Sequence, residues 1–155
     1  MKKPSKAIKK EECGSNISHH RCGDLLDKKD QLQFADAPEG QWYSEAIRWA
    51  ASEKIVDGYG STFGTNDPIT REQFAAILWR YAKHKGVNVE TNQDTELNFE
   101  DTQSISAYAV EAMQWACGAG LIKGNAGRLL PANTATRAEA AAMMQRFYPQ
   151  ISKSR

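Results

Sequence analysis

Two arginines stand where a stability argument would not put them. Arg71 and Arg137 each occupy the first helical position after a threonine, in Thr70-Arg71-Glu72-Gln73 and Thr136-Arg137-Ala138-Glu139. Both segments fit the capping box, in which the threonine hydroxyl accepts from the amide three residues on and the Gln73 or Glu139 side chain reaches back to the threonine amide. A cation at the positive end of a helix dipole costs roughly a few tenths of a kcal/mol when exposed. The departure, made twice at equivalent positions, has two readings. In one, the free amides of the first turn, the dipole and a planar guanidinium converge on a carboxylate or phosphate. In the other, each arginine pairs with an acidic residue of its own unit, for instance Asp36 or Asp101.

The remaining chemistry-bearing residues are less pointed. Trp42, at a helix start beside the loops, suits a ligand wall, because indole offers a flat apolar face with one donor. Trp49 and Trp115 fall on core stripes, whereas Trp79 lies off the stripe, where it would mark a contact with a neighbouring repeat or chain. Cys13, His19, His20 and Cys22 put two thiols and two imidazoles within ten residues, but without a paired knuckle spacing they are not expected to hold a metal. Three cysteines, Cys117 being the third, exclude a fully paired disulfide framework within the chain. No nucleophile motif, phosphate loop or metalloprotease helix occurs, so neither enzymatic activity nor a cofactor is expected.

The elements that must position these groups come from an internal repeat. Phe34-Ala-Asp36 recurs as Phe99-Glu-Asp101, and beyond it the register holds at an offset of 66 residues. Between Trp42–Tyr81 and Tyr108–Phe147, 10 of 40 positions are identical, too many in one register for chance. Each unit reads as helix, glycine-bearing loop, helix. Trp42, Ala46, Trp49 and Ala50, with Ile47 beside them, form one helical face, and Tyr108, Ala112, Trp115 and Ala116 repeat it. Phe74, Ile77, Leu78 and Tyr81, then Ala140, Met143, Met144 and Phe147, give the core stripes of the second helices. Gly58 and Gly124 sit where a tight or left-handed backbone is expected. A unit of about 50 residues is marginal alone, so the two are expected to pack on each other or on further repeats. The expected layout is a basic tail over 1–33, repeats over 34–86 and 99–148 joined by a linker over 87–98, and a short tail over 149–155.

Composition narrows the function classes. The chain of 155 residues carries 20 Lys and Arg against 19 Asp and Glu, which supplies no global field to draw it onto nucleic acid. The loop between paired helices is also too long for a helix-turn-helix reader. No apolar run approaches the roughly 18 residues of a membrane span. Residues 1–33 are basic, and their opening lysines are followed by Glu11-Glu12-Cys13-Gly14 where a secretory signal would be apolar. The chain is therefore expected either to stay inside the cell or to be a piece of a longer exported protein.

Taken together, Phe34-Ala-Asp36, Trp42, Ala46-Ile47, Gly58-Tyr59-Gly60, Phe63, Pro68-Ile69-Thr70-Arg71 and Phe74-Ala75 resemble a repeat of the S-layer homology family. Phe99-Glu-Asp101, Ala112-Met113, Gly120-Leu121-Ile122, Gly124, Thr136-Arg137-Ala138-Glu139 and Ala141 make the second unit similar. The resemblance implies an all-α bundle of repeats that usually come in threes. It also implies non-catalytic anchoring at a bacterial cell surface through an anionic, pyruvylated secondary cell-wall polysaccharide. The implied ligand residues are Arg71 and Arg137 for charge, Thr70 and Thr136 as the caps that aim them, and Trp42 and Tyr108 as stacking surfaces. Asp36, Asp101 and the loop glycines Gly58, Gly60 and Gly124 would line the site, with Gln73 and Glu139 closing the caps. Further repeats or a second copy of the chain would be the alternative partner, making the chain a self-assembly module.

Overall fold

Both capping boxes form. Thr70, extended at φ −79° and ψ 162°, accepts from the Gln73 amide while the Gln73 side chain accepts from the Thr70 amide, and Thr136 with Glu139 repeats the exchange. The helices that start there are α2 (Arg71–His84) and α4 (Arg137–Ser152); α1 (Ser44–Ser52) and α3 (Val110–Gly118) are the first helices of the two units. Two 3-10 turns, Thr102–Ser104 and Ala107–Ala109, lead into α3. This computed structural model describes residues 34–91 and 97–152. The expected basic tail and the Cys13, His19, His20, Cys22 set lie outside the described residues. The fold is all-α, and β pairing among the described residues is confined to isolated bridges.

One loop plan is used twice. After α1 the Ile55 and Val56 amides donate to the Ala50 carbonyl, and after α3 those of Leu121 and Ile122 donate to Ala116. A tight turn follows, closed by Tyr59 with Thr62 and by Asn125 with Arg128. Just before it stand Gly58 (φ 65°) and Gly124 (φ 69°), where an added Cβ would lie 2.5 Å from a ring carbon of Phe34 or Phe99. The aromatic and the glycine are thus one device, since the ring occupies the space a side chain would need. The aspartate two residues past the aromatic ties down the rest of the loop. Asp36 accepts from the Phe63, Gly64 and Thr65 amides at 2.6, 2.7 and 3.0 Å, and Asp101 from Leu129 and Leu130 at 2.8 and 2.7 Å.

The core is unevenly shared. Ala75, Leu78 and Ala82 of α2 pack with Met113, Trp115 and Ala116 of α3, Met143 and Phe147 of α4, and the loop residues Leu121, Ile122 and Leu129. Each fully buried Leu, Met or Phe contributes about 1.5–3 kcal/mol. A small separate cluster, Phe34, Ala37 and Ile47, holds α1 to its own loop. Trp49 carries α1 toward α2, meeting Tyr81 and His84 edge-on, and Glu53 at the end of α1 reaches His84 as well.

This unevenness corrects the stripes read from the sequence. Trp42 precedes α1 and is 92% exposed, Ala46 is exposed, and Ile47 carries the buried face instead. Met144 is exposed on α4, whose buried side is Met143 and Phe147. The helix α2 is covered on two sides by the second unit, so its buried face widens to Ala75, Ala76, Leu78 and Ala82 and takes in Arg71 and Glu72. Helix α4 also runs through Pro149 to Ser152, further than the short terminal tail expected over 149–155.

Candidate functional site

The start of α2 is where the two units join. The Arg71 and Glu72 amides, which an exposed helix start would leave free, donate to the Asn133 and Pro131 carbonyls of the second unit at 2.9 and 3.0 Å, and the Ala135 amide donates back to Ile69 at 3.0 Å. The Arg71 side chain, only 8% exposed as a residue, lies in the same seam. Its Nε donates to the Leu129 carbonyl at 2.9 Å, and its Nη1 is paired with Oε1 of Glu139. Glu139 serves two ends at once, because its Oε2 closes the Thr136 cap. The Thr136 amide and hydroxyl, together with the Arg71 charge, outweigh burial and hold the Glu139 carboxyl below the usual range.

Glu72 extends the seam. Its carboxylate accepts from the Ser106 amide at 3.0 Å, the Ser106 hydroxyl at 2.7 Å and the Tyr108 hydroxyl at 3.2 Å, which fixes the approach to α3. Burial, with the Glu72 charge beside it, pushes the Tyr108 hydroxyl up to about 12, so it stays a donor. The Tyr108 ring remains 54% exposed. Across α2, Gln73 donates to the Tyr59 hydroxyl at 2.5 Å, and the ring of Tyr59 is also exposed.

The start of α4 is the same construction left open. Arg137 is exposed, and neither its guanidinium nor the Arg137 and Ala138 amides have a partner among the described residues. Cap, helix dipole, free amides and an unpaired cation therefore coincide there, the arrangement that suits a carboxylate.

Family comparison agrees with this duplicated geometry. The profile of the S-layer homology domain matches residues 33–75 and 98–141. The chain belongs to the S-layer homology family. Among its relatives, the amylopullulanase of Thermoanaerobacterium thermosulfurigenes is 34% identical over 138 residues, covering 84% of this chain and 7% of that protein. The exoglucanase XynX of Acetivibrio thermocellus is 33% identical, covering 97% and 13%, and the S-layer protein sap of Bacillus anthracis is 28% identical, covering 75% and 14%. The chain thus spans 14% or less of the length of each of these, and their named activities belong to far longer proteins. What this S-layer homology chain shares with all of them is a surface-anchoring module.

Set against the candidates read from sequence, the geometry sorts them. Thr70, Thr136, Gln73 and Glu139 are caps as read. The proposed own-unit pairing of the arginines does not occur, because Asp36 and Asp101 spend their oxygens on loop amides. Phe63, then Thr65, lower the Asp36 carboxyl to about 2 against a burial effect, with Gly64 adding to them. At Asp101, burial is outweighed by the Leu129 and Leu130 amides. Gly58 and Gly124 lie beneath aromatic rings and shape the loop, whereas Gly60 is exposed at the turn. Tyr108 is brought beside Glu72, next in sequence to Arg71, while Trp42 stands at the outer edge of the first unit against Tyr43. Glu72, Ser106 and Tyr59 were not singled out from sequence. An acid in the first turn of α2 is the available signal, and by itself it is no more than a helix start ordinarily carries. Burial pushes the Cys117 thiol up to about 11, which makes it a poor nucleophile. Among the described residues no cluster of metal-binding side chains gathers, and no helix is long and apolar enough to cross a membrane.

Proposed function

We propose that this S-layer homology chain anchors its protein to a bacterial envelope by binding an anionic, pyruvylated cell-wall polysaccharide, with Arg137 at the start of α4 taking the carboxylate. The observation that carries the reading is the contrast between the helix starts. At Arg71 a carboxylate, that of Glu139, already sits on the guanidinium beside a capped helix start. At Arg137 the same groups face solvent with no partner among the described residues. A pyruvyl carboxylate would stand to Arg137 as Glu139 stands to Arg71. The exposed rings of Tyr59 and Tyr108 beside the seam supply surfaces for sugar stacking, and Trp42 offers another at the edge of the first unit.

Sedimentation with purified walls tests the reading. Arg137→Ala is expected to lose most binding with unchanged helical circular dichroism, and depyruvylated walls should bind neither form. Retention of binding by Arg137→Ala, or equal binding to depyruvylated walls, would reject it. A second reading, a self-assembly module, is favoured by the 92% exposure of Trp42 at the position where Tyr108 meets the preceding unit. Mass by light scattering that rises with concentration, and falls back in Trp42→Ala, would support it.

A further inference from the structure

We propose that the groove between the end of α1 and the second half of α2 is a second binding site, for an uncharged saccharide. The groove is open to solvent, measures about 410 Å³ and is lined by Glu53, Lys54, Asp57, Trp79, Arg80, Lys83 and His84, a size within the ordinary range for small-ligand sites. Trp79 supplies a half-buried indole whose Nε1 is buried and has no hydrogen-bond partner, an uncommon condition for a buried donor. The ammonium of exposed Lys83 stands 4.2 Å from the ring centroid. It marks an accessible face of the ring, and its flexible stem lets it swing aside.

The polar rim favours a polyol over an anion. Arg80 pairs with Asp57 at 2.8 Å, and His84 Nδ1 lies 3.4 Å from Glu53. Donors and acceptors therefore stand side by side, as vicinal hydroxyls require, and with Glu53 and Asp57 set among Lys54, Arg80 and Lys83 the rim mixes both signs of charge instead of presenting the uniform field of an anion site. The apolar C–H face of a sugar ring suits the indole.

The second unit serves as an internal control. At the positions of Asp57, Trp79, Lys83 and His84 it has Lys123, Gln145, Pro149 and Gln150. Yet the scaffold contact is kept in both, from Arg80 to the Ile55 carbonyl at 3.5 Å and from Arg146 to the Leu121 carbonyl at 3.0 Å. The second unit therefore folds without this set; in the first, Trp79 also packs on the core and His84 meets Trp49 and Glu53, which leaves the exposed Asp57 and Lys83 and the accessible part of the half-buried indole to meet a ligand.

Titrating the intact chain with chitotriose, cellotriose and maltotriose, read by the Trp79 indole N–H resonance, tests the proposal. At least one sugar should give saturable shifts centred on Trp79. Measured by calorimetry for the variants, Asp57→Ala, at an exposed position, should weaken that binding at least tenfold, as should Trp79→Phe, while Gln145→Ala in the second unit should bind normally. No saturable shift with any of the three, or full affinity in both groove variants, would overturn the site. Tighter binding of trigalacturonate than of all three would overturn the assignment to an uncharged sugar.

Discussion

The starts of α2 and α4 are the same four-residue construction in two environments. At α2 the first-turn amides and the arginine are consumed by the second unit; at α4 they face solvent. One motif thus makes a fold contact in one copy and, in the other, leaves an exposed cation at an open helix start, the place proposed above for the carboxylate. The difference teaches that a repeated cap-and-arginine motif cannot be scored by sequence alone, because its chemistry depends on whether a neighbouring unit already satisfies it.

The sharpest way to break this comparison is to delete each arginine in turn. Arg71→Ala leaves the Leu129 carbonyl without a donor in a buried seam and the Glu139 carboxylate, whose side chain is 40% exposed, without its cation, a loss of about 2–3 kcal/mol. Arg137→Ala removes an exposed cation from the positive end of a dipole and should change stability by no more than about 0.5 kcal/mol in either direction. Urea melts of the two variants measure the gap. Equal losses would show that the two helix starts are not in different environments.

Next in size are the loop glycines. Gly58→Ala and Gly124→Ala both force a side chain into a left-handed backbone against an aromatic ring, and each should cost about 2–3 kcal/mol. The two should differ in reach. Phe99 and Leu129 belong to the main core, so Gly124→Ala should lower the global melt, whereas Phe34 belongs to the small cluster around α1. Gly58→Ala should therefore show mainly as faster hydrogen exchange over residues 34–65.

The loop aspartates add a pH test. The Asp36 carboxyl is held at about 2, below its ordinary 3.8, so its contribution is complete above about pH 4 and is lost as the pH falls toward 2. Asp101 is shifted in the same direction by two amides instead of three. Asp36→Asn should therefore flatten the fall in melting temperature between pH 4 and pH 2 more than Asp101→Asn does. The opposite order would place the tighter loop in the second unit.

How much of this was legible depended on whether a signal was local. The caps, the four helices and the special role of Gly58 and Gly124 are readable because each depends on residues within a few positions or on a backbone need that glycine alone meets cheaply. The partner of Arg71 was not readable. Glu139 lies 68 residues away, and nothing in a capping box says that its spare oxygen will face another unit. The buried faces were misread for a related reason. Periodicity reports that a helix has an apolar side, but not that α2 is covered on two sides while α1 reaches it chiefly through Trp49, so Trp42 and Met144 fall on the apolar stripes yet are exposed. Loops repeating one plan were visible as matched motifs, yet the hydrogen bonds that make Asp36 and Asp101 structural required the fold.

The smallest effect comes from the helix ends, where the units also diverge. Both first helices terminate with a residue in the left-handed region, Lys54 at φ 57° and Gly120 at φ 71°, and in both the next two amides return to the same helical carbonyl. Glycine is the inexpensive choice at such a position, and Lys54 is exposed, with its side chain in no hydrogen bond or ion pair among the described residues. Lys54→Gly should therefore stabilise the chain by about 0.5–1 kcal/mol, seen as a small rise in urea midpoint with an unchanged slope. Because α1 is held mainly by its own small cluster, the gain should appear first as slower hydrogen exchange at Ile55 and Val56. The reciprocal change, Gly120→Lys, should cost more than Lys54→Gly gains, since the half-buried Gly120 closes a helix packed into the main core. If the two changes were equal and opposite, the packing of α3 would contribute nothing to its own termination, and the contrast between a peripheral first unit and a central second one would fail at the helix ends.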